Sequence, residues 1–259
     1  MTGPVVGIAG AGYVVTRFWG ELPVRGVPTS YVDAVAAAGG RPVILPPGHA
    51  LDVLDMVDAV VLAGGGDVDP TLYGPPDDRA MGVDRGRDER EIALVHALRS
   101  RSIPLLGVCR GLQVLTVADG GSLIADLGPD LPHVAPDVGH AVETSSGSVL
   151  ATLLGTALTV SSLHHQAVGR LGSGWLPTCR TPDGRLEGVE WVAPGWWPAL
   201  GVQWHPELDS SGEALFGWLV GAAARRARER VRCGCGASCG QASGRSDPLT
   251  PRVRPRMHR

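Results

Sequence analysis

Lysine is absent from this 259-residue chain, and all 23 basic side chains are arginine. That excludes a Schiff base on a protein lysine, and it excludes a phosphate loop of the Gly-Lys-Ser/Thr type. No stretch approaches the ~18 apolar residues of a membrane-spanning helix. Met1-Thr2-Gly3-Pro4 does not open a basic region followed by an apolar one, so no secretory signal is read and a cytoplasmic location is expected. Cysteines are few and odd in number, at five, which argues against a disulfide framework. Basic charge is scarce outside the C-terminus. Residues 225–259 hold ten arginines against Glu229 and Asp247, leaving thirteen arginines against 24 acids in the rest. So acidic a body is unsuited to nucleic acid, and neither nucleic acid nor membrane is expected as a partner.

What is present is a chain long and apolar enough to bury a substantial core, with a hydrophobic fraction of 44%. Short apolar runs at Pro4–Ala9, Pro42–Leu45, Asp58–Ala63 and Ile103–Val108 end in Gly- or Pro-rich turns or at Cys109. Helical patterns at Tyr31–Gly39, Asp88–Arg101 and Arg110–Ala118 alternate with them. In the second of these, Ile92, Val95 and Leu98 recur every third residue, and an acidic start and arginine-rich end suit the helix dipole. Continuous apolar strands separated by helices predict an α/β fold with a parallel sheet covered on both faces. Ligands then bind at the carboxyl ends of the strands, where the Gly-rich turns and Cys109 fall. The second half reads as more β-rich. Trp175–Cys179 and Leu186–Trp191 flank the turn Pro182-Asp183-Gly184, Ala199–Trp204 is a further strand, and Glu213–Arg230 is a helix. From about Val231 the chain is Gly, Ser, Arg and Pro with almost nothing to build a core. The expected division is a domain over 1–224 and a disordered Arg/Gly/Cys tail over 225–259.

The strongest chemical signal is Gly107-Val-Cys109-Arg-Gly111 between an apolar strand and a helix. This is the nucleophile-elbow pattern with cysteine as the nucleophile. Small residues two positions either side permit a sharp turn, and the helix N-terminus behind the sulfur favours the thiolate. The second signal is Gly201-Val-Gln-Trp-His205-Pro-Glu207. Pro206 disfavours helical geometry at His205, and in an extended segment residues two apart share a face. Glu207 can then orient the imidazole while its other nitrogen serves Cys109. Read blandly, Cys109 is a core cysteine and His205 lies in a surface turn; finding both motifs in one chain favours the catalytic reading.

Several segments extend the pattern: Leu62-Ala-Gly-Gly-Gly-Asp-Val-Asp-Pro70, Gly107-Val-Cys-Arg-Gly-Leu-Gln-Val-Leu115, Ser162-Leu-His-His-Gln-Ala-Val168 and the His205 heptapeptide. On these the chain resembles the class I glutamine amidotransferase-like superfamily over roughly residues 4–220. Within it, the resemblance is to the γ-glutamyl-γ-aminobutyrate hydrolase (peptidase C26) branch. It implies a flavodoxin-like three-layer sandwich with a mostly parallel central sheet, to which the antiparallel β region is added. It implies Cys109 as nucleophile, His205 as base and Glu207 as orienter. It also implies an oxyanion hole from backbone N–H groups at Gly65 and Arg110. Gln113 and His164 are implied to contact a γ-glutamyl amide substrate, with Gly66 and Asp67 as further candidates. Asp67, Asp69 and Arg87 are equally readable as loop or ion-pair residues, and the Arg110 side chain as half of a structural ion pair. No cofactor and no metal are implied. Adjacent His164 and His165 point to opposite faces of an extended chain, and Cys233, Cys235 and Cys239 do not make a usual zinc set. The branch often carries Asn where Ser161 stands. A glutaminase subunit feeding ammonia to a synthase, and a non-catalytic binding protein on the same scaffold, remain alternatives, and a homo-oligomer is left open.

Overall fold

The computed structural model describes residues 3–128 and 139–233. Its centre is a nine-stranded sheet. Val5–Ala9 (β1) is followed by a hairpin, Ala11–Arg17 (β2) and Gly20–Gly26 (β3), then by helix Thr29–Ala37 (α1) and strand Arg41–Leu45 (β4). Ala59–Leu62 (β5), helix Arg85–Ser100 (α2), Leu105–Val108 (β6) and helix Arg110–Ala118 (α3) complete the first half. The second half runs Ser122–Ile124 (β7), His140–Thr144 (β8), helix Val149–Leu154 (α4), Ala157–Val160 (β9), Ala167–Arg170 (β10), Trp175–Arg180 (β11), Leu186–Trp191 (β12), Ala199–Val202 (β13) and helix Gly212–Cys233 (α5). The order across the sheet is β4-β1-β5-β6-β13-β12-β11-β8-β9. The first five strands are parallel, and β12, β11, β8 and β9 extend them antiparallel.

Strand alternation divides the core in two. Val60, Leu62 and Leu105 face one layer with Leu94, Val95 and Leu98 of α2 and Leu112 and Leu115 of α3. Ala59, Val61, Leu106 and Val108 face the other, with Tyr31 and Val35 of α1 and Leu215, Phe216 and Leu219 of α5. Burial on both faces explains why these strands read as unbroken apolar runs. Strands β5, β6 and β13 all run toward one edge, so the turns after them meet there: Gly64–Gly66, Cys109 and His205.

Two boundaries differ from expectation. Helix α2 begins at Arg85 because Asp84 caps it, accepting the Arg87 N–H at 2.9 Å. Helix α5 runs through the boundary expected at residue 224. Arg226 donates to the Val57 carbonyl (3.3 Å) and Arg230 to that of Asp55 (2.7 Å), which ties this basic stretch to the body. The rest of the expected tail, including Cys235 and Cys239, lies outside the described residues. Among the described residues no helix is long and apolar enough to cross a membrane.

Candidate active site

Cys109 stands between β6 and α3 with φ 53° and ψ −108°, a backbone conformation that side-chain-bearing residues rarely adopt. The flanking glycines show what holds it there. A Cβ on Gly111 would lie 2.3 Å from the Leu62 carbonyl oxygen, and one on Gly107 would lie 2.9 Å from the Gly111 backbone. Strand, elbow and helix are in backbone contact. The Arg110 N–H sits in the first turn of α3, where no intrahelical acceptor exists.

His205 Nδ1 is 2.7 Å from Glu207 Oε1, and the ring and the Cys109 side chain both face Gly64, where an added Cβ would lie 2.9 Å from His205 Cε1 and 3.7 Å from Cys109 Cβ. The sequence places this pair on an extended segment. Instead Pro206–Leu208 forms a single 3-10 turn with His205 at its N-cap, as proline at the first helical position favours. The histidine and glutamate meet across that turn. The Glu207 side chain is 2% exposed against 13% for that of His205. Burial works against charge on the imidazole, but the hydrogen bonds and charges of Cys109 and Glu207 outweigh it and push its pKa up to about 10. The other described non-helical cysteine, Cys179, lies in the core, where burial and the nearby Glu187 raise its thiol to about 12. It is chemically inert by comparison.

Two residues not singled out in the sequence stand at the centre of this geometry. The Tyr31 hydroxyl accepts the Gly64 N–H at 3.0 Å and faces Glu207. Burial, then the Glu207 charge, holds its pKa well above the ordinary tyrosine value, so it stays a donor. Gln203, fully buried, directs its amide nitrogen to the Cys109 sulfur at 3.6 Å. A tyrosine on an apolar helix face reads as core, and a glutamine two residues before a histidine carries no signal of its own. Ser161, where the branch often carries Asn, joins them: its hydroxyl donates to the His205 carbonyl at 2.9 Å, and its N–H donates to Asp209 at 2.9 Å.

The remaining candidates divide. Gly65 has φ 157°, and a Cβ there would lie 2.3 Å from the Arg87 guanidinium, so arginine packs against the loop where a side chain would be. Arg87 donates to Glu91 (2.8 Å) and toward the Ala63 and Gly64 carbonyls (3.4 and 3.3 Å). Glu91 also accepts from Arg110, which reaches Asp88 as well. The Arg110 side chain therefore belongs to a buried four-member ion cluster. Gly66 packs on Gly82, whose oxygen would lie 2.3 Å from an added Cβ. Asp67 accepts the Met81 N–H (2.7 Å) and contacts His165 Nε2 (2.9 Å). Gln113 is buried and donates to Gln203 at 3.4 Å. His164 turns away from His165, toward the Gln166 carbonyl (2.8 Å) and Glu187 (3.7 Å).

A mostly parallel sheet with a strained cysteine elbow, and a histidine and glutamate in the turn after the neighbouring strand, defines a class I glutamine amidotransferase-like protein. The sequence profile of peptidase C26 matches residues 4–207, and the chain belongs to that family. It is 39% identical over 234 residues to a Mycobacterium tuberculosis protein described as a candidate glutamine amidotransferase, covering 85% of this chain and 75% of that one. It is 35% identical over 239 residues to the γ-glutamyl-γ-aminobutyrate hydrolase PuuD of Escherichia coli, covering 83% and 90%. Among solved structures, a candidate GMP synthase component from Thermoplasma acidophilum aligns with a TM-score of 0.63. That match covers 88% of this chain and 98% of the other at 17% identity, and it carries the fold alone. With the family and relatives of these kinds, the chain is a glutamine amidotransferase-like amide hydrolase.

Proposed function

We propose that this protein hydrolyses γ-glutamyl amides through a thioester on Cys109, releasing glutamate and an amine, with γ-glutamyl-γ-aminobutyrate as a representative substrate. The observation that carries the reading is one imidazole hydrogen-bonded to a buried carboxylate and set beside a strained strand-to-helix cysteine whose side chain helps to raise its pKa. With the His205 pKa near 10, the ring holds its proton at neutral pH beside the sulfur, favouring an imidazolium–thiolate pair. The thiolate attacks the γ-carbonyl carbon. The resulting oxyanion is held by the backbone N–H groups of Gly65 and Arg110, each worth on the order of 3 kcal/mol of barrier. Collapse breaks the C–N bond, and the amine departs with the proton of His205. The ring then takes a proton from water, whose oxygen attacks the thioester, and glutamate leaves as the thiolate is restored. Every step uses groups of this chain and water.

The test is release of glutamate by the purified chain acting alone. The wild type is expected to turn over γ-glutamyl-γ-aminobutyrate faster than glutamine, and Cys109→Ala is expected to be inactive on both. Undiminished turnover by Cys109→Ala rules the mechanism out. A second reading, a glutaminase that supplies ammonia to a partner enzyme, is favoured by the 39% identical relative described as a candidate glutamine amidotransferase. It predicts the reverse preference, with glutamine the better substrate.

A further inference from the structure

Behind Gln203 lies a second cluster that the hydrolytic reading does not use. Glu187 of β12, His140 of β8 and His164 of the segment before β10 bring one ligating atom each to within 4.8 Å of one another, and all three side chains are buried. We propose that these three residues form a binding site for a divalent transition-metal ion of the zinc class.

Three features of the geometry support this. First, the separations are of the size found between ligands of one ion. His140 Nε2 lies 3.4 Å from Glu187 Oε2, and His164 Nε2 lies 3.7 Å from Glu187 Oε1. Ligands bonded tetrahedrally at ~2.0–2.1 Å stand about 3.3 Å apart. Second, the tautomer of His164 is fixed. Its Nδ1 is 2.8 Å from the Gln166 carbonyl oxygen, which can only accept, so Nδ1 carries the proton. In the neutral ring, Nε2 then aims a lone pair at a carboxylate. That arrangement invites a cation between them, and the carbonyl contact is the outer-shell partner that metal-bound histidines use to set ring orientation. Third, two imidazoles and one carboxylate are a donor set suited to zinc, and burial removes the water that would otherwise solvate the carboxylate.

The position gives such an ion a structural consequence. Gln203 N–H donates to the Glu187 carbonyl at 2.8 Å, and the Gln203 side chain touches the Cys109 sulfur. The His164 segment also carries Ser161, which holds the His205 backbone. A metal here would staple β8, β12 and that segment together directly behind the cysteine and histidine. The proposal stands apart from the hydrolase reading, since metal binding is measured without turnover.

The test uses the full chain with Cys109→Ala and with Cys233, Cys235 and Cys239 changed to Ser, so that these thiols cannot bind metal. After stripping with a chelator, this protein is expected to bind one equivalent of zinc sulfate by calorimetry and to retain it through gel filtration. With cobalt it should show d–d bands and no thiolate charge-transfer band. Glu187→Gln in the same background should weaken zinc binding about a hundredfold. Imidazole nitrogen resonances of the unmutated-ligand protein provide a readout independent of whether that variant folds, and the Nε2 signals of His140 and His164 should both move on adding zinc. Absence of stoichiometric zinc, equal affinity in Glu187→Gln, a thiolate band with cobalt, or unmoved Nε2 signals would each overturn the proposal.

Discussion

At the residue scale, the site turns on the protonation of one imidazole. Because the folded-state pKa of His205 is raised to about 10, from an ordinary value near 6.5, its contribution to stability is complete below about pH 6.5. That contribution fades as the pH climbs toward 10. Measured by denaturant unfolding, the stability gap between wild type and His205→Gln is expected to narrow steadily across that window. Turnover should fall over its upper end, as the ring loses the proton owed to the leaving amine. Tyr31 offers a finer probe. Tyr31→Phe strips the Gly64 N–H of its acceptor, at a cost of about 1–3 kcal/mol. We expect kcat to drop ten- to a hundredfold while the fold survives, read from steady-state kinetics beside a circular dichroism melt. The candidate triad Cys109, His205 and Glu207 was legible in the sequence because the proposed chemistry demands particular residue types at short, fixed spacings. Tyr31 and Gln203 were not, because their roles arise from side chains meeting across α1 and β13, and no local spacing encodes such a meeting.

At the scale of elements, the Gly64–Gly66 loop and the start of α3 are braced by the cluster of Arg87, Glu91, Arg110 and Asp88, each buried. Glu91 accepts from both arginines, so Glu91→Gln leaves two buried guanidinium groups short of charge. Breaking such a network by one partner costs about 3–5 kcal/mol, and the loss should appear as a lower urea midpoint. The same pattern of success and failure recurs here. The parallel strands were legible because burial on both sides makes them uniformly apolar. The hairpin of β2 and β3 was not. Neither of its faces is covered, so the inside–outside alternation that marks a strand is missing, and Phe18 and Trp19 at its tip stand 97% and 65% exposed. The short helix α4 and strands β7, β9 and β10 likewise carry too few residues for a period to emerge, and β8 alternates but buries His140 and Thr144 where apolar residues would mark a strand.

At the scale of the whole molecule, the arginine-rich C-terminus is in part a structural element. Arg230 lies 3.6 Å from Asp58, which in turn accepts the Val5 N–H at 2.9 Å. The last turns of α5 thereby join the start of β1. A chain ending at Ala224 should melt a few degrees below one ending at Cys233, at roughly 2–4 °C per kcal/mol for a protein of this size, as scanning calorimetry would register. Composition suggested a break at 225 because arginine-rich sequence lacks core-forming residues. What it cannot express is that long cationic side chains reach back to carbonyl groups on a neighbouring element.

The contact between Gly111 and the Leu62 carbonyl also bears on how such an enzyme diversifies. The sulfur's location is dictated by main chain resting on main chain, with no intervening side chain to exchange. If the sulfur attacks as proposed, altering the residues that line the cleft can therefore change which amine is admitted, while the point of attack stays where the sheet put it. A lineage on this scaffold can widen its choice of substrates without rebuilding its chemistry.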